Sequence, residues 1–377
     1  MPDGPRVRVP HPSRFCSGGL FKVPFLAISS AALIQLATRM VLVVGDINVD
    51  ITAPLAAPPA EGEDCLSHEL SFQCGGVGLN AAMVLARLGC SPRLVSSVGN
   101  DWFGDFVLDR AAREGIDVSL VQRSPRAMTG LMFITISPDG QRTFFGSRGA
   151  CAEFRVTDQL PLWLDGVTAL EIAGYAFLTP ASSECADRLI AEAKLRAVPV
   201  AIDVGIGPSR EVPKKIMRAV GDVDTVFANV TEAEALTGCG GAQAAFTALE
   251  QTGAREVALK LGAEGCLIRA QGELCSVPPF AVEVVDTTGA GDAFTAGFLA
   301  GQHWGWSGRE CALFANACGA AATMTLGAGE RLPTVAAIGE LLESAKLSAE
   351  WDGVRREVIR RVRGRAAEAA SIGSGGA

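Results

Sequence analysis

VLVVG at residues 41–45 is the stretch that organises this chain. Four apolar residues in a row ending on glycine suit a strand buried on both faces, as in a parallel sheet; a half-exposed strand would alternate instead. Working outward, strand-like runs recur at 93–98, 167–173, 198–203, 223–227, 256–260 and 265–269. Helical patterns fall at 78–88, 182–196, 231–237 and 242–252. In the first of these helices Ala81, Val84, Leu85 and Leu88 form one apolar stripe. The alternation predicts an α/β fold built on a doubly wound, mostly parallel sheet flanked by helices.

Two stretches break the alternation. Residues 65–73 (CLSHELSFQ) and 130–146 (GLMFITISPDGQRTFFG) read as strands without helices between them, and the second carries the hairpin signal Asp139-Gly140. A small separate β-sheet acting as a lid accommodates both. Residues 1–39 differ from the rest. Arg6, Arg8, Arg14 and Lys22 precede or interrupt an apolar run from Leu20 to Leu36. A targeting segment is one reading, but Lys22, Pro24 and Gln35 break the run and no small-residue cleavage site follows. An extension ahead of the domain is the reading preferred here. At the other end, from about 346, Trp351, Val354, Val358 and Val362 share a helical stripe among Arg355, Arg356, Arg360, Arg361, Arg363 and Arg365. That pattern fits a helix docking one face on its own domain, or a basic membrane-surface helix; the first is preferred. The terminal SIGSGGA reads as disordered.

Bulk composition narrows the function. Of 377 residues 49% are hydrophobic and 20% charged, and the net charge is −8. An acidic chain is poorly suited to nucleic acid or an anionic membrane as main partner. The 11 cysteines are scattered with no Cys-x-x-Cys pair, which argues against a zinc site and suits free thiols in a reducing cytoplasm. Only three histidines occur, His11, His68 and His303, and none sits in a chemical motif.

The chemistry concentrates at 286–292, DTTGAGD. A strand-like run at 281–285 precedes it and a helical pattern (Ala293, Phe294, Ala296, Phe298, Leu299) follows, which puts the glycines on a strand-to-helix turn. Gly289 and Gly291 lack Cβ, so backbone N–H groups can approach a ligand. A helix N-terminus presents unpaired N–H groups and partial positive charge, a site for a phosphate. Asp292 falls in the first turn. It takes two readings: a general base for an attacking hydroxyl, or a helix-start acid favoured by the dipole. Asp286 is a cap or a cation ligand. A second glycine-rich segment, GGVGLN at 75–80, allows close approach of a ligand, with Asn80 offering donor and acceptor to sugar hydroxyls. The same residues, Gly76 to Ala81, fit the dinucleotide pattern G-x-G-x-x-A with Asp101 about twenty residues on, the signature of an NAD-dependent oxidoreductase. Against it, the preceding run holds His68, Glu69, Ser71 and Gln73, too polar for a buried first strand. Third, GDINVD at 45–50 follows the first strand, and Asp46, Asn48 and Asp50 share one side if extended; they read as hydroxyl-binding groups or as turn formers. There is no Gly-Lys-Ser/Thr P-loop and no G-x-S-x-G elbow.

Taken together, these motifs resemble the ribokinase-like (PfkB-type) carbohydrate kinases over roughly 40–345. Six occur in the family's order: GDINVD, GGVGLNAAMVLARLG at 75–89, NVTEAEALTG at 229–238, KLGAEG at 260–265, DTTGAGDAFTAGFLAG at 286–301 and ANACGAA at 315–321. The resemblance implies a kinase domain at 40–345 with lid strands about 47–75 and 117–150, and a C-terminal helix and tail at 346–377. It implies transfer of the γ-phosphate of ATP to a hydroxyl of a sugar, keto-deoxy sugar acid or nucleoside. Asp292 matches the catalytic base, and Gly289, Ala290 and Gly291 the anion hole. Asn48, Asp50, Gly76 and Asn80 match substrate-binding positions. Asn229 and Glu232 match the N-x-x-E element linked to magnesium and phosphate. Lys260, Gly262 and Gly265 fall in the nucleotide loop, Asn316 matches the adenine side, and Asp286 a position associated with a monovalent cation such as K+. A homodimer through the lid is also implied. Two departures bear on the substrate. Val77 stands where ribokinases often carry Lys, and DVG at 203–205 replaces the commoner Asp-Pro or Asn-Pro. GGVGLN supplies no cation for a phosphorylated substrate, although Arg148 lies in the lid region. An unphosphorylated sugar or nucleoside is therefore expected, with a phosphosugar as the alternative.

Overall fold

A computed structural model describes residues 40–57, 61–137 and 142–373. The expectations for 1–39, for the Asp139-Gly140 turn and for 374–377 lie outside them. The strands of the central sheet are β1 (Met40–Val44), β4 (Ser91–Gly99), β5 (Val121–Ser124), β8 (Val167–Ala173), β9 (Val200–Asp203), β10 (Thr225–Asn229), β11 (Glu256–Lys260), β12 (Cys266–Ala270) and β13 (Glu273–Val277). They lie in the order β13-β12-β11-β10-β9-β8-β1-β4-β5. Every pairing from β11 to β5 is parallel, while β11–β12 and β12–β13 are antiparallel.

The apolar run at 41–45 explains this layering. Val41 and Val43 pack into one buried cluster with the helices Val77–Arg87, Ala290–His303 and Gly308–Ala322, while Leu42 and Val44 pack into a second with Pro180–Leu195 and Ala242–Glu250. Each such side chain, removed from water, contributes roughly 1.5–3 kcal/mol. A continuous apolar strand is what a sheet covered on both faces requires.

The remaining strands, β2 (Asn48–Pro54), β3 (Ser71–Gly75), β6 (Gly130–Ile136) and β7 (Arg142–Ser147), form a separate sheet in the order β3-β2-β6-β7. Its pairings set Asn48 and Asp50 of β2 opposite Gly130 and Met132 of β6. Asn48 and Asp50, two residues apart at the start of β2, share one face of this small sheet.

Several expectations are corrected. The strand expected at 65–73 covers only Ser71–Gly75; residues 65–70 have no regular structure. Val121–Ser124 lies within the expected lid range but pairs with β4 at the edge of the central sheet. No strand forms at 281–285: Ala281, Val282, Val284 and Val285 line two adjoining cavities and pair with no neighbouring strand. The antiparallel edge hairpin β12–β13 was not anticipated, although its signal is local: Gln271 and Gly272 both take positive φ, 51° and 84°, as a two-residue hairpin turn demands. The helix Ala349–Gly373 runs into the stretch expected to be disordered. Trp351, Val358 and Val362 are buried in the domain core, so this helix docks on its own domain.

Candidate active site

The helix Ala290–His303 begins at Gly289, whose φ of 76° is left-handed, a conformation glycine adopts without the Cβ penalty. The Ala290 amide is spent on Thr287 O, and the Ala293 amide bonds Gly289 O. The amides of Gly291 and Asp292 are the first-turn donors left over. Of the three residues expected as an anion hole, Gly289 sets the turn, Ala290 is internally bonded and Gly291 supplies a donor. A Cβ on Gly291 would lie 3.3 Å from Lys260 Nζ, so an ammonium group already stands beside this corner. Lys260 Nζ is held by Asp203 at 2.9 and 3.0 Å, and Thr295 Oγ1 donates to the same carboxylate at 2.7 Å. Burial alone would lower the Lys260 pKa; Asp203 and Glu232 outweigh it and leave the group raised, hence charged.

Asp292 lines two adjoining cavities of about 730 and 770 Å3. Its carboxylate accepts from Asn80 Nδ2 at 2.8 Å. Burial, then the Asp203 charge, pushes its pKa up to about 7, with the Asn80 bond and Lys260 pulling the other way. A carboxyl poised there can accept a proton at neutral pH, which a helix-start acid on the surface has no cause to do.

The smaller cavity holds the hydroxyl-binding candidates. Asp46, Asn48, Asp50, Gly76 and Asn80 all line it, with Met132 and Phe144 of the same small sheet as β2. Asn48 Oδ1 is buried without a partner, against Gly130, where a Cβ would come within 2.1 Å of it. Burial, then Glu330, raises Asp50 to about 7. Asn80 is less free than expected: its second polar atom, Oδ1, accepts from Gly329 N at 3.1 Å, so the amide mainly holds Asp292 in place. The glycines of GGVGLN also serve differently. A Cβ on Gly75 would lie 2.3 Å from the Asp50 carboxylate, and one on Gly76 would lie 2.4 Å from Asp46 O. They let the 46–50 segment approach as much as they admit a ligand. Arg148 meets Asp46 at 2.7 and 2.8 Å. Arg142 meets Asp286.

The larger cavity gathers Asn229, Glu232, Lys260, Gly262, Gly265 and Asn316. Asn229 and Glu232 form a reciprocal cap at the helix Val230–Thr237, with bonds of 2.9 and 2.7 Å. Asn316 Nδ2 holds Pro278 O at 2.9 Å. Gly265, at φ 90°, turns the β11–β12 connection where a Cβ would strike Val277 O. Glu232 and Asp286, both expected as metal ligands, fall on different cavities, and among the described residues no three His, Cys, Asp or Glu side chains gather around one point. Oxygen donors for a divalent cation are available on the wall of the larger cavity in Glu232 and Asp203, with the buried, unpartnered Oε2 of Glu171 on the same wall, although the three do not converge on one point. Hard oxygen donors suit magnesium.

Sequence reading missed Glu171, Arg142, Tyr175 and the Asp203–Lys260 pair. Glu171 left a signal, a charged residue inside the apolar run VTALEIA; burial and then Asp203 raise its pKa well above the ordinary value. Tyr175, the single tyrosine, lies on both cavities. The helix Val77–Arg87 follows β3 of the small sheet instead of a central strand, and Asp101 caps the next helix by accepting from Gly104 N. The dinucleotide reading therefore fails.

A sheet of this order, a small covering sheet and a carboxylate at a helix N-terminus define a ribokinase-like fold with a phosphoryl-transfer site. Residues 38–335 match the pfkB family carbohydrate kinase. Ribokinase from Haemophilus influenzae is 28% identical over 320 residues, covering 81% of this chain and 99% of that protein. Fructokinase-1 from Zea mays is 31% identical over 293 residues, covering 72% and 88%. The structure of Arabidopsis thaliana ribokinase complexed with ribose and ATP superposes with a TM-score of 0.71 at 27% identity, covering 82% of this chain and 100% of that one. The chain belongs to the pfkB family of carbohydrate kinases, and it is an ATP-dependent phosphotransferase with an alcohol group as acceptor.

Proposed function

We propose that this kinase phosphorylates a hydroxyl of a neutral, unphosphorylated sugar or nucleoside, with Asp292 as the base. The carrying observation is the position of Asp292 in the wall shared by the two cavities. The acceptor hydroxyl would bind in the smaller cavity through Asn48, Asp50 and Gly76, and the nucleotide in the larger one through Lys260, Gly262, Gly265 and Asn316. Asp292 takes the hydroxyl proton as the oxygen attacks. The amides of Gly291 and Asp292, with Lys260, receive the charge on the migrating phosphoryl group. Magnesium, held through Glu232 and Asp203, would neutralise phosphate charge. The small sheet excludes water that would compete as acceptor.

The neutral substrate is argued from charge. The smaller cavity carries Asp46, Asp50, Asp286 and Asp292 against Arg142 and Arg148, and each arginine is already paired. An anionic sugar would meet surplus carboxylate. ADP release across neutral sugars, nucleosides, sugar acids and phosphosugars tests this; turnover with phosphosugars alone would reverse it. Asp286 is engaged by Arg142, which disfavours a K+ ion on that carboxylate.

We also read 40–345 as the kinase domain, with 1–39 as an extension and 346–377 as an added helix and tail. Exposed Phe72, Phe133 and Phe145 on the outer face of the small sheet support a homodimer through that sheet. The ten cysteines among the described residues are all free, which supports a cytoplasmic location. Among the described residues no helix is long and apolar enough to cross a membrane.

A further inference from the structure

We infer that Arg142 is a positioning residue, a built-in counter-ion on Asp286 through which the seated small sheet completes the anion corner. Arg142 opens β7, the edge strand of that sheet. Its guanidinium reaches the central domain at three acceptors within four residues: the Asp286 carboxylate, Thr288 Oγ1 at 3.2 Å and Val285 O at 3.2 Å. The pair is buried, with the side chains 13% and 2% exposed. Asp286 is itself a hub, accepting from Thr288 N at 2.7 Å and Gly327 N at 2.6 Å. Gly289, which starts the catalytic helix, follows three residues later.

Residues 281–287 belong to no helix or strand, so their course depends on such bonds. A buried carboxylate with its cation removed is a strongly unfavourable state. Among the described residues Arg142 is the cation that pairs with Asp286. Without it, the carboxylate draws in water and the 285–288 segment loses three anchors.

The family resemblance associates this aspartate with a monovalent cation. Here its charge and both oxygens are occupied by protein groups, so a cation there does not fit. The guanidinium does that electrostatic work instead, and because it rides on the small sheet it ties order in the anion corner to the seating of that sheet. Turnover is then insensitive to the monovalent ion supplied.

The inference rests on the phosphotransfer reading only for its kinetic arm. The independent arm is hydrogen exchange on the ligand-free protein. In Arg142→Ala the amides of 285–292 exchange faster, by about tenfold or more, the size expected when a local opening loses a charge-assisted bond; amides of the central strands do not change. In the kinetic arm, Arg142→Ala lowers kcat by about 10²-fold, the scale of misplaced catalytic groups, with a smaller effect on sugar KM. Added guanidinium chloride restores part of it, and Arg142→Lys is intermediate. Wild-type turnover is equal in potassium and tetramethylammonium chloride. Unchanged exchange at 285–292 in a folded Arg142→Ala protein, or a wild-type requirement for potassium, overturns the inference. If Arg142→Ala does not fold, Arg142→Lys carries the same exchange comparison. A wild-type protein that turns over nothing on the panel counts against the substrate reading and leaves the exchange arm to decide this one.

Discussion

Asn80 Nδ2 donates to Asp292 Oδ2 at 2.8 Å, linking residues 212 positions apart in the chain. Asn80 sits in the helix Val77–Arg87, which follows the small sheet, and Asp292 in the helix Ala290–His303. The same amide accepts from Gly329 N through Oδ1. A carboxylate on one side and a backbone donor on the other fix which end of the amide faces which. Asp292, the proposed base, is thus oriented by a residue that lines the smaller cavity.

Replacing Asp292 with Asn removes the proton acceptor and keeps the shape. Turnover should fall by about 10²–10⁴-fold, the usual weight of a general base, with the melting temperature unchanged or higher because a buried charge is gone. Normal ADP release by this variant would remove Asp292 from the base role.

Asn80→Ala deletes a bond that favours the ionised form of Asp292. The Asp292 pKa should climb further. The acidic limb of kcat/KM against pH should move to higher pH, and the rate at pH 7 should drop. A variant with an unmoved limb would mean that this bond does not tune the base.

The pH dependence of the wild type has a defined sign. Asp292 and Asp50 are both raised from 3.8 to about 7 by burial. With Asp292 as the proposed base, kcat/KM should rise as pH passes through about 7. Stability runs the other way. Between about 4 and 7 the folded state binds more protons than the unfolded chain, so these groups stabilise the fold fully below 4 and that contribution is lost as pH rises through 7. Thermal melts of the ligand-free protein from pH 5 to 8 should fall with pH, and less steeply in Asp292→Asn.

Arg148→Ala should destabilise by roughly 3–5 kcal/mol, because it strands the buried Asp46 carboxylate. Sugar KM should rise more than nucleotide KM, since the pair lies on the smaller cavity. Denaturant melts and separate titrations of the two substrates would check both halves.

Gly289→Ala places a Cβ on a left-handed residue, costing about 1–2 kcal/mol, and drives it to 2.9 Å from Leu332 Cδ2. Because the strain falls where the catalytic helix begins, kcat should suffer more than the melting temperature indicates. Equal kcat in the two proteins would show that the corner tolerates a shift.

Local pattern and tertiary placement divide this protein between them. Strands such as VLVVG announced themselves because burial on both faces leaves no polar position, and the DTTGAGD corner because glycine conformation and helix ends are local physics. The strand expected at 281–285 failed for the opposite reason: apolar composition does not create a partner strand. Lys260 bound to Asp203, Asn80 holding Asp292 and Arg142 seated on Asp286 are pairings across 57 to 212 residues, and the rise of Asp292 to about 7 comes from burial. Charge, proton affinity and hydrogen-bond partnership depend on what burial brings near. Residue order along the chain therefore determined the family, the layers and the phosphate corner, and only the folded arrangement decided which side chains are free to meet a substrate.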